Sequence, residues 1–357
     1  MRVVVIGATG NVGLALLRAL AADGRDDEVV AVARRQPQQP LPGARWVTAD
    51  IVRDDLAPLL AGADAVVHLA WLIQPARSPQ QLHAVNVTGT ARVLDAVATA
   101  GVRTLVYASS VGAYAPGPAS HDPVDESWPT HGIDTSSYSR HKAYVERMLD
   151  VFEAHQPQVR VVRLRPALIF QTEAAQSQQR YFAGPFLPRA LLRPGVLPVV
   201  PHLPGVHFQA VHTSDIANAY LLALRSDVHG AFNIAADPTL STDDVADLLR
   251  ARPLPVPRAI ARGAMDLTWR LRLHPLSPGW FDLAVQCPVL DSTRARTELG
   301  WKPAFSGREA LRTVLRGIAA GASGPTPPLA HQTLPERLVD AARSGVGEGE
   351  VGPPETP

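Results

Sequence analysis

The first twenty residues, MRVVVIGATGNVGLALLRAL, limit what this chain can become more than any other feature. Val3, Val4, Val5 and Ile6 form a β-branched run suited to a buried parallel strand. Gly7, Gly10 and Gly13 follow at once, and an apolar-periodic helix follows them. A strand, a glycine turn and a helix start make a cradle for a pyrophosphate, because the first-turn N–H groups are unpaired and the helix dipole favours an anion. The first glycine permits the tight turn, the second lets backbone donors approach, and the third lets the helix close on the strand. The spacing is G-x-x-G-x-x-G where the strict fingerprint is G-x-G-x-x-G. Its place directly behind a strand gives it weight.

The first half of the chain keeps this rhythm. Strands are predicted at residues 3–6, 29–32, 45–48, 65–69, 104–108 and 159–164, and helices at 12–22, 56–60, 80–100 and 137–154. Short strands separated by helices imply βαβ units, a parallel sheet and right-handed crossovers. The expected class is α/β: a Rossmann doubly wound parallel sheet, with a smaller C-terminal domain after it. After Leu164 the rhythm changes, and residues 186–204 are broken by Pro188, Pro194, Pro198, Pro201 and Pro204. Further strands are predicted at 208–211 and 231–234. Helices are predicted at 213–225 (Thr213 or Ser214 as N-cap), 241–250, 259–273, 294–299 and 308–319. From about Gly321 the chain reads as a solvated tail with a short helix at 334–342.

At 357 residues, one large domain or two interlocked ones are expected. A net charge of +1 gives no overall electrostatic reason to bind nucleic acid. Cys287 is the only cysteine, which excludes an intrachain disulfide and suggests a reducing, cytoplasmic setting. No signal-peptide pattern precedes Val3, and no run of about 18 apolar residues lacks charge or proline, so no membrane partner is expected. The scattered histidines, among them His83, His141, His207 and His212, have no metal-site spacing, so no metal is expected. Arg252, Arg258, Arg262, Arg270 and Arg272 read as a solvated basic face, with an anionic substrate or a membrane surface as alternatives.

An acidic residue after the second strand of such a fold binds a ribose hydroxyl, whereas arginine there accommodates a 2′-phosphate. Here the strand runs into Arg34 and Arg35, with no acid before Pro37. The two guanidinium groups favour NADP over NAD, unless both are simply surface arginines. Asp50 could accept from an adenine amino group with Ile51 packed near the ring, or Asp50 could cap a helix. His68, Leu69 and Ala70 end the fourth strand at the edge where ligands bind; His68 taken alone reads as structural.

Tyr138 and Lys142 are four apart at the start of a helix, so the phenol and the ammonium share a face. A phenol titrates near ~10 in water, and a nearby ammonium is expected to lower that value toward the working range of a general acid or base. Ser109 and Ser110 follow the fifth strand; a hydroxyl there can hold a substrate oxygen opposite Tyr138, and Ser110 is the choice of the two. A turn-forming serine pair is the alternative. Trp71, Leu72 and Ile73 could wall the substrate or belong to the core.

These residues resemble the extended short-chain dehydrogenase/reductases, also called the NAD-dependent epimerase/dehydratase family, from Met1 to about Leu315. The matching pieces are GATGNVG (7–13), ADI (49–51), HLA (68–70), NVTGT (86–90), YASSVGAY (107–114), YSRHK (138–142), LRPALIF (164–170), VHTSDIANAY (211–220), GAFNI (230–234) and LGWKP (299–303). The resemblance implies Ser110, Tyr138 and Lys142 as the catalytic triad. It also implies a dinucleotide held by Gly7, Thr9, Gly10, Asn11, Val12, Gly13, Arg34, Arg35, Asp50, Ile51, Leu69, Ala70, Asn86, Tyr138 and Lys142, with Pro166 and Leu168 lining the nicotinamide. Residues 1–166 and 206–234 would form the dinucleotide domain, 167–205 and 235–319 the substrate domain, and 320–357 a flexible tail.

Nucleotide-sugar members often place Arg-Asp where this chain has Phe208 and Gln209, so a pyrophosphate clamp is missing and Phe208 becomes a substrate candidate beside Trp71 and Ser110. Sugar dehydratases place Asp-Glu after the catalytic hydroxyl residue; Val111 and Gly112 stand here. Phe170 and Gln171 replace a common Tyr-Gly. The expected activity is hydride transfer between the nicotinamide and a small carbonyl or alcohol substrate, apolar or aromatic. A cofactor-retaining epimerase and a non-enzymatic NADP-sensing protein are the alternatives. By analogy, helices 80–100 and 137–154 would pair two copies into a homodimer.

Overall fold

Val3, Val4 and Val5 are fully buried, which a strand achieves only inside a sheet covered on both faces. The computed structural model describes residues 1–73, 78–180, 188–273, 276–331 and Glu336. Among these, the strands are β1 (Arg2–Ile6), β2 (Glu28–Ala33), β3 (Ala44–Thr48), β4 (Ala65–His68), β5 (Thr104–Ala108), β6 (Arg160–Pro166), β7 (Leu168–Phe170), β8 (Val199–His202), β9 (His207–His212), β10 (Gly230–Ile234), β11 (Ala236–Ser241) and β12 (Arg252–Pro255). The α-helices are α1 (Asn11–Ala22), α2 (Ala57–Leu60), α3 (Pro79–His83), α4 (Gly89–Thr99), α5 (Ser137–His155), α6 (Ala175–Gln178), α7 (Thr213–Arg225), α8 (Thr242–Leu249), α9 (Arg258–Arg270), α10 (Pro278–Gln286), α11 (Thr293–Thr297) and α12 (Gly307–Ala320).

Seven strands form one parallel sheet in the order β3-β2-β1-β4-β5-β6-β10. The order reverses between β1 and β4, which opens a crevice at their carboxyl ends. The glycine turn and His68–Ala70 lie at those ends. Alternate side chains of β1 divide between two cores: Val3 and Val5 pack with Leu16, Ile216 and Tyr220 on one face, Val4 and Ile6 with Val93, Val145 and Leu149 on the other. The doubly wound α/β class is thus the observed one.

A smaller lobe follows. Strands β11, β9 and β7 form one sheet, β12 and β8 another. Phe170, Leu240, Leu311, Val314 and Ile318 build its core under α12. The strand expected at 208–211 is β9, and it joins this small sheet; α7 packs on α1 and β10 extends the main sheet. The segment expected to return whole to the dinucleotide domain is therefore shared between the lobes.

Three local features differ from the sequence reading. The expected helix 80–100 is interrupted by a π-helical turn, Ala84–Thr88, a device frequent at functional sites. The N-cap of α7 is His212, whose Nδ1 accepts from Ser214 N, where Thr213 or Ser214 is expected. The solvated tail is also corrected as far as residue 331: Thr326 and Leu329 are buried, and Thr326 Oγ1 donates to Thr9 O at 2.8 Å. A hydroxyl bond and an apolar anchor hold this stretch to the glycine turn. The helix expected at 334–342 lies almost wholly outside the described residues. Among those described, no helix is long and apolar enough to cross a membrane.

Candidate active site

The glycine turn fits a pyrophosphate on its own geometry. Gly7 has φ +89°, and a Cβ there would sit 2.6 Å from Ala70 N, so only glycine lets β1 and β4 end so close together. A Cβ on Gly13 would sit 2.4 Å from Gly7 O, which explains why α1 can start against the turn. Gly10 is the N-cap; no side chain caps α1 and no acid lies in its first turn. The helix start is left to an anion. Asn11 Oδ1 accepts from Gln171 Nε2 (2.6 Å) and Thr213 Oγ1 (3.3 Å), tying the turn to β7 and α7. Gln171 thus has a role in the turn that its place in the sequence does not announce.

The other expected cofactor residues stand around the crevice. Arg34 and Arg35 are exposed just beyond β2. Asp50 Oδ1 accepts from Val52 N at 2.9 Å, so one oxygen is used in a local turn. Ile51 is buried and abuts Gly89, where a Cβ would come within 2.7 Å of its Cδ1. Leu69 N donates to Ile6 O. Asn86 sits in the π-turn and clamps the backbone of Leu72, accepting from its N (2.7 Å) and donating to its O (3.0 Å). Thr9 is buried, Val12 packs on the first core, Pro166 ends β6 and Leu168 opens β7, partly exposed.

One face of α5 carries Tyr138, Lys142 and Glu146 at successive i, i+4 positions. Each meets the end of β5. Ser110 lies beside the Tyr138 phenol and favours its ionised form, while its Oγ accepts from Gly112 N at 3.0 Å. Lys142 Nζ donates to Ala108 O at 2.6 Å. Glu146 Oε1 accepts from Ser109 Oγ at 2.5 Å. Of the two serines, then, Ser110 faces the phenol and Ser109 faces a buried carboxylate. Ser139 fixes the start of α5: its Oγ donates to Gly112 O (2.6 Å) and accepts from Ile133 N (2.7 Å). Gly112 lies against the Tyr138 ring, with room for no side chain.

Aromatic rings enclose the phenol. Trp71 meets Tyr138 edge-on with centroids 6.1 Å apart, and Trp280 of α10 lies 5.0 Å away, tilted by 35°. Gly279 makes this approach possible, since a Cβ there would be 2.2 Å from Thr135 O. Sequence reasoning missed Trp280, Cys287, Ser139 and Gly112; Trp280 lies 142 positions beyond Tyr138 (280 − 138), and no spacing rule connects them. Phe208, expected as a substrate residue, is partly buried and packs against the small lobe's core of Phe170 and Leu240.

The electrostatics correct one expectation. The Tyr138 phenol is pushed up to about 12 by burial; the nearby Ser110 hydroxyl acts against this and neighbouring Cys287 adds to it. Lys142 does not lower it. The ammonium lies 6.0 Å from the Tyr138 ring centre but 3.5 Å from that of Trp71. Burial holds Lys142 well below its ordinary value, with Glu146 opposing the shift. Sharing a helix face fixed proximity, but the indole took the cation. His68 is buried and held down to about 3 by desolvation first and by Lys142 second. Thr90 Oγ1 donates to Asn86 O, so His68 Nε2 must be the donor to Thr90 at 3.1 Å. His68 is therefore a neutral part of the support under the Trp71 loop.

Comparisons with known proteins agree with this fold. The model of the NAD dependent epimerase/dehydratase family matches residues 3–235. An uncharacterized Mycobacterium tuberculosis protein is 28% identical over 315 residues; the match covers 87% of this chain and 29% of that protein, so the chain spans under a third of its length. A 4-hydroxy-2-methyl-3-oxo-4-farnesyl-3,4-dihydroquinoline-1-oxide ketoreductase from Stigmatella aurantiaca is 31% identical over 177 residues, 48% of this chain and 51% of that enzyme. Among solved structures, MoeE5 in complex with UDP-glucuronic acid and NAD superposes with a TM-score of 0.67 at 24% identity, covering 90% of this chain and 100% of that one, a likeness of fold. With its parallel sheet, its glycine turn and a family match over most of its length, this chain belongs to the NAD-dependent epimerase/dehydratase family.

Proposed function

We propose that the chain is an NAD(P)H-dependent reductase of apolar carbonyl compounds, acting in reverse as an alcohol dehydrogenase. The observation that carries this is the setting of Tyr138: a phenol held protonated, beside Ser110 and flanked by two indoles. A dinucleotide with its pyrophosphate at the glycine turn would supply the hydride from its nicotinamide. Tyr138 gives its proton to the carbonyl oxygen as that oxygen gains the electron pair of the C=O π bond. Ser110 orients the oxygen, and Lys142 is the cation placed to hold the cofactor ribose. Trp71 and Trp280 offer ring faces to an apolar or aromatic substrate.

Nucleotide sugars fit poorly. Phe208 stands where the clamping arginine is expected, and the amide of Gln209 beside it is committed to Leu290, donating to its O (3.1 Å) and accepting from its N (2.7 Å). Arg34 and Arg35 support NADP over NAD by charge and forked donors. A homodimer through α5 fits exposed Tyr144 and Val151 on that helix, and a lone thiol fits a reducing, cytoplasmic setting.

Fluorescence titration with NADPH and NADH, followed by a panel of ketones graded in polarity, tests this reading. Tighter NADPH binding and kcat/KM rising with substrate apolarity are expected. Tenfold tighter NADH overturns the NADP assignment. Copurified oxidised cofactor, with interconversion of epimers and no net loss of reduced cofactor, would establish the epimerase instead. Tight cofactor binding with no turnover of any carbonyl would point to a dinucleotide sensor.

A further inference from the structure

Helix α9 turns its large aliphatic side chains toward solvent. Ile260, Leu267 and Leu271 are 63%, 57% and 58% exposed, whereas Met265, Asp266 and Trp269 are half-buried on the inner side. Ile260, Ala264, Leu267 and Leu271 fall at i, i+4, i+7 and i+11, one face of a helix. Leu254 in β12 and Leu273 just beyond α9 are exposed as well. Single exposed leucines need no explanation, but an aligned stripe marks an interaction surface.

The charges around the stripe say what that surface meets. Residues 250–273 hold six arginines, at 250, 252, 258, 262, 270 and 272, and one acid, Asp266. Arg262 is committed to Asp282 and Arg270 to Asp266. Arg250, Arg252 and Arg272 are exposed. A self-complementary contact between two copies would bring these cations against their own kind. An apolar stripe on a helix within an arginine-rich segment is the pattern of a helix lying in the plane of an anionic membrane surface.

We propose that α9 beds its Ile260–Leu267–Leu271 face into the surface of an anionic lipid bilayer, held there by the surrounding arginines. The proposal takes the membrane-surface alternative over the solvated basic face and the expected absence of a membrane partner, because the placed helix turns the stripe outward. α9 packs on α10, which sets Trp280 against Tyr138. The roof of the cleft is thus next to the bilayer face, as suits a substrate dissolved in lipid. That last step rests on the reductase reading; the surface itself does not.

Cosedimentation of the full chain with vesicles of phosphatidylglycerol and phosphatidylcholine in equal parts, and with phosphatidylcholine alone, tests the proposal. Binding to the anionic vesicles, weakened by salt and by Arg252→Gln/Arg272→Gln, is expected. Ile260→Glu/Leu267→Glu should lower partitioning roughly tenfold or more while circular dichroism and NADPH titration stay unchanged. No binding by the natural chain overturns it, as does equal binding by the glutamate variant. So does a concentration-dependent dimer that the variant abolishes while vesicles retain nothing, which would assign the face to a second copy. Turnover of a water-soluble ketone without vesicles tests the reductase reading separately.

Discussion

The ammonium of Lys142 lies 3.5 Å from the centre of the Trp71 indole, closer than to the ring of Tyr138, its neighbour one helical turn away. A cation this deeply buried needs a partner, and a ring face supplies one without a carboxylate. The same indole meets the edge of Tyr138. One side chain, on the loop after β4, therefore conditions both groups of the Tyr-Lys pair.

Trp71→Leu removes the ring and keeps apolar bulk. Burial already depresses Lys142, and losing the indole depresses it further, so the ammonium gives up its proton at lower pH. The alkaline limb of kcat is expected to move to lower pH in Trp71→Leu and only part of the way in Trp71→Phe. Loss of the contact should also cost about 0.5–2 kcal/mol of stability. Unchanged pH profiles in both variants would remove Trp71 from this role.

His68 predicts an acid-sensitive fold. Its folded value is near 3 against an ordinary 6.5, because burial disfavours the charged ring. Below the ordinary value the unfolded chain binds a proton that the native state refuses. Stability is then lost as pH falls from the ordinary value toward the folded one, at up to about 1.4 kcal/mol per pH unit. His68→Gln should be less stable near neutrality, having lost the Thr90 bond, yet show a flatter loss on acidification. Urea unfolding at several pH values between about 7 and 5 checks both.

Glu146 is fully buried and paired with Arg163 (3.0 Å) and Arg165 (2.9 Å). Although burial alone would raise it, the Arg165 bonds and charge, with Arg163 and Ser109, hold it down to about 2. A depressed carboxyl stabilises the fold above its ordinary value and ceases to do so as pH falls through the folded one. Glu146→Gln leaves the buried Arg165 without its carboxylate and takes one of three from Arg163, and should cost about 3–5 kcal/mol at neutral pH. Denaturant midpoints would show it; a loss under about 1 kcal/mol would mean that Asp150 and Glu153, which also pair with Arg163, suffice.

The main sheet could be read from the chain because each of its strands is a short apolar run and each helix has a periodic face. Val3–Ile6 behaves as its composition requires, and the glycine turn and the Ser110–Tyr138 pairing follow from where strands and helices end. What could not be read came from long-range packing. β7 has three residues and β11 carries Asp237 and Pro238, so neither reads as a strand, and both pair with β9 between them. Arg163 and Arg165 stand in an apolar strand, and only the fold supplies Glu146 to both. Trp280 reaches Tyr138 through a helix whose approach depends on Gly279. The pKa of Tyr138 went the other way because sequence spacing states which groups are near but not which is desolvated.

Gly112 and Gly13 should separate chemistry from cofactor binding. A Cβ on Gly112 would sit 2.7 Å from Tyr138 Cε1 and 3.4 Å from Ser110 Oγ. The ring has little room to yield, since Trp71 and Trp280 stand against it. Gly112→Ala must therefore displace the phenol, and a displacement near an ångström lowers kcat by roughly a hundredfold while leaving NADPH affinity intact. A Cβ on Gly13 would instead strike backbone, with Gly7 O at 2.4 Å and Ala8 C at 2.8 Å. Neither atom is the end of a flexible side chain, so Gly13→Ala should open the turn and abolish cofactor binding, with the Tyr138 surroundings undisturbed. Titration with NADPH beside single-turnover rates at saturating cofactor distinguishes the two. If Gly112→Ala turned over at the natural rate, Tyr138 would not be the group that delivers the proton.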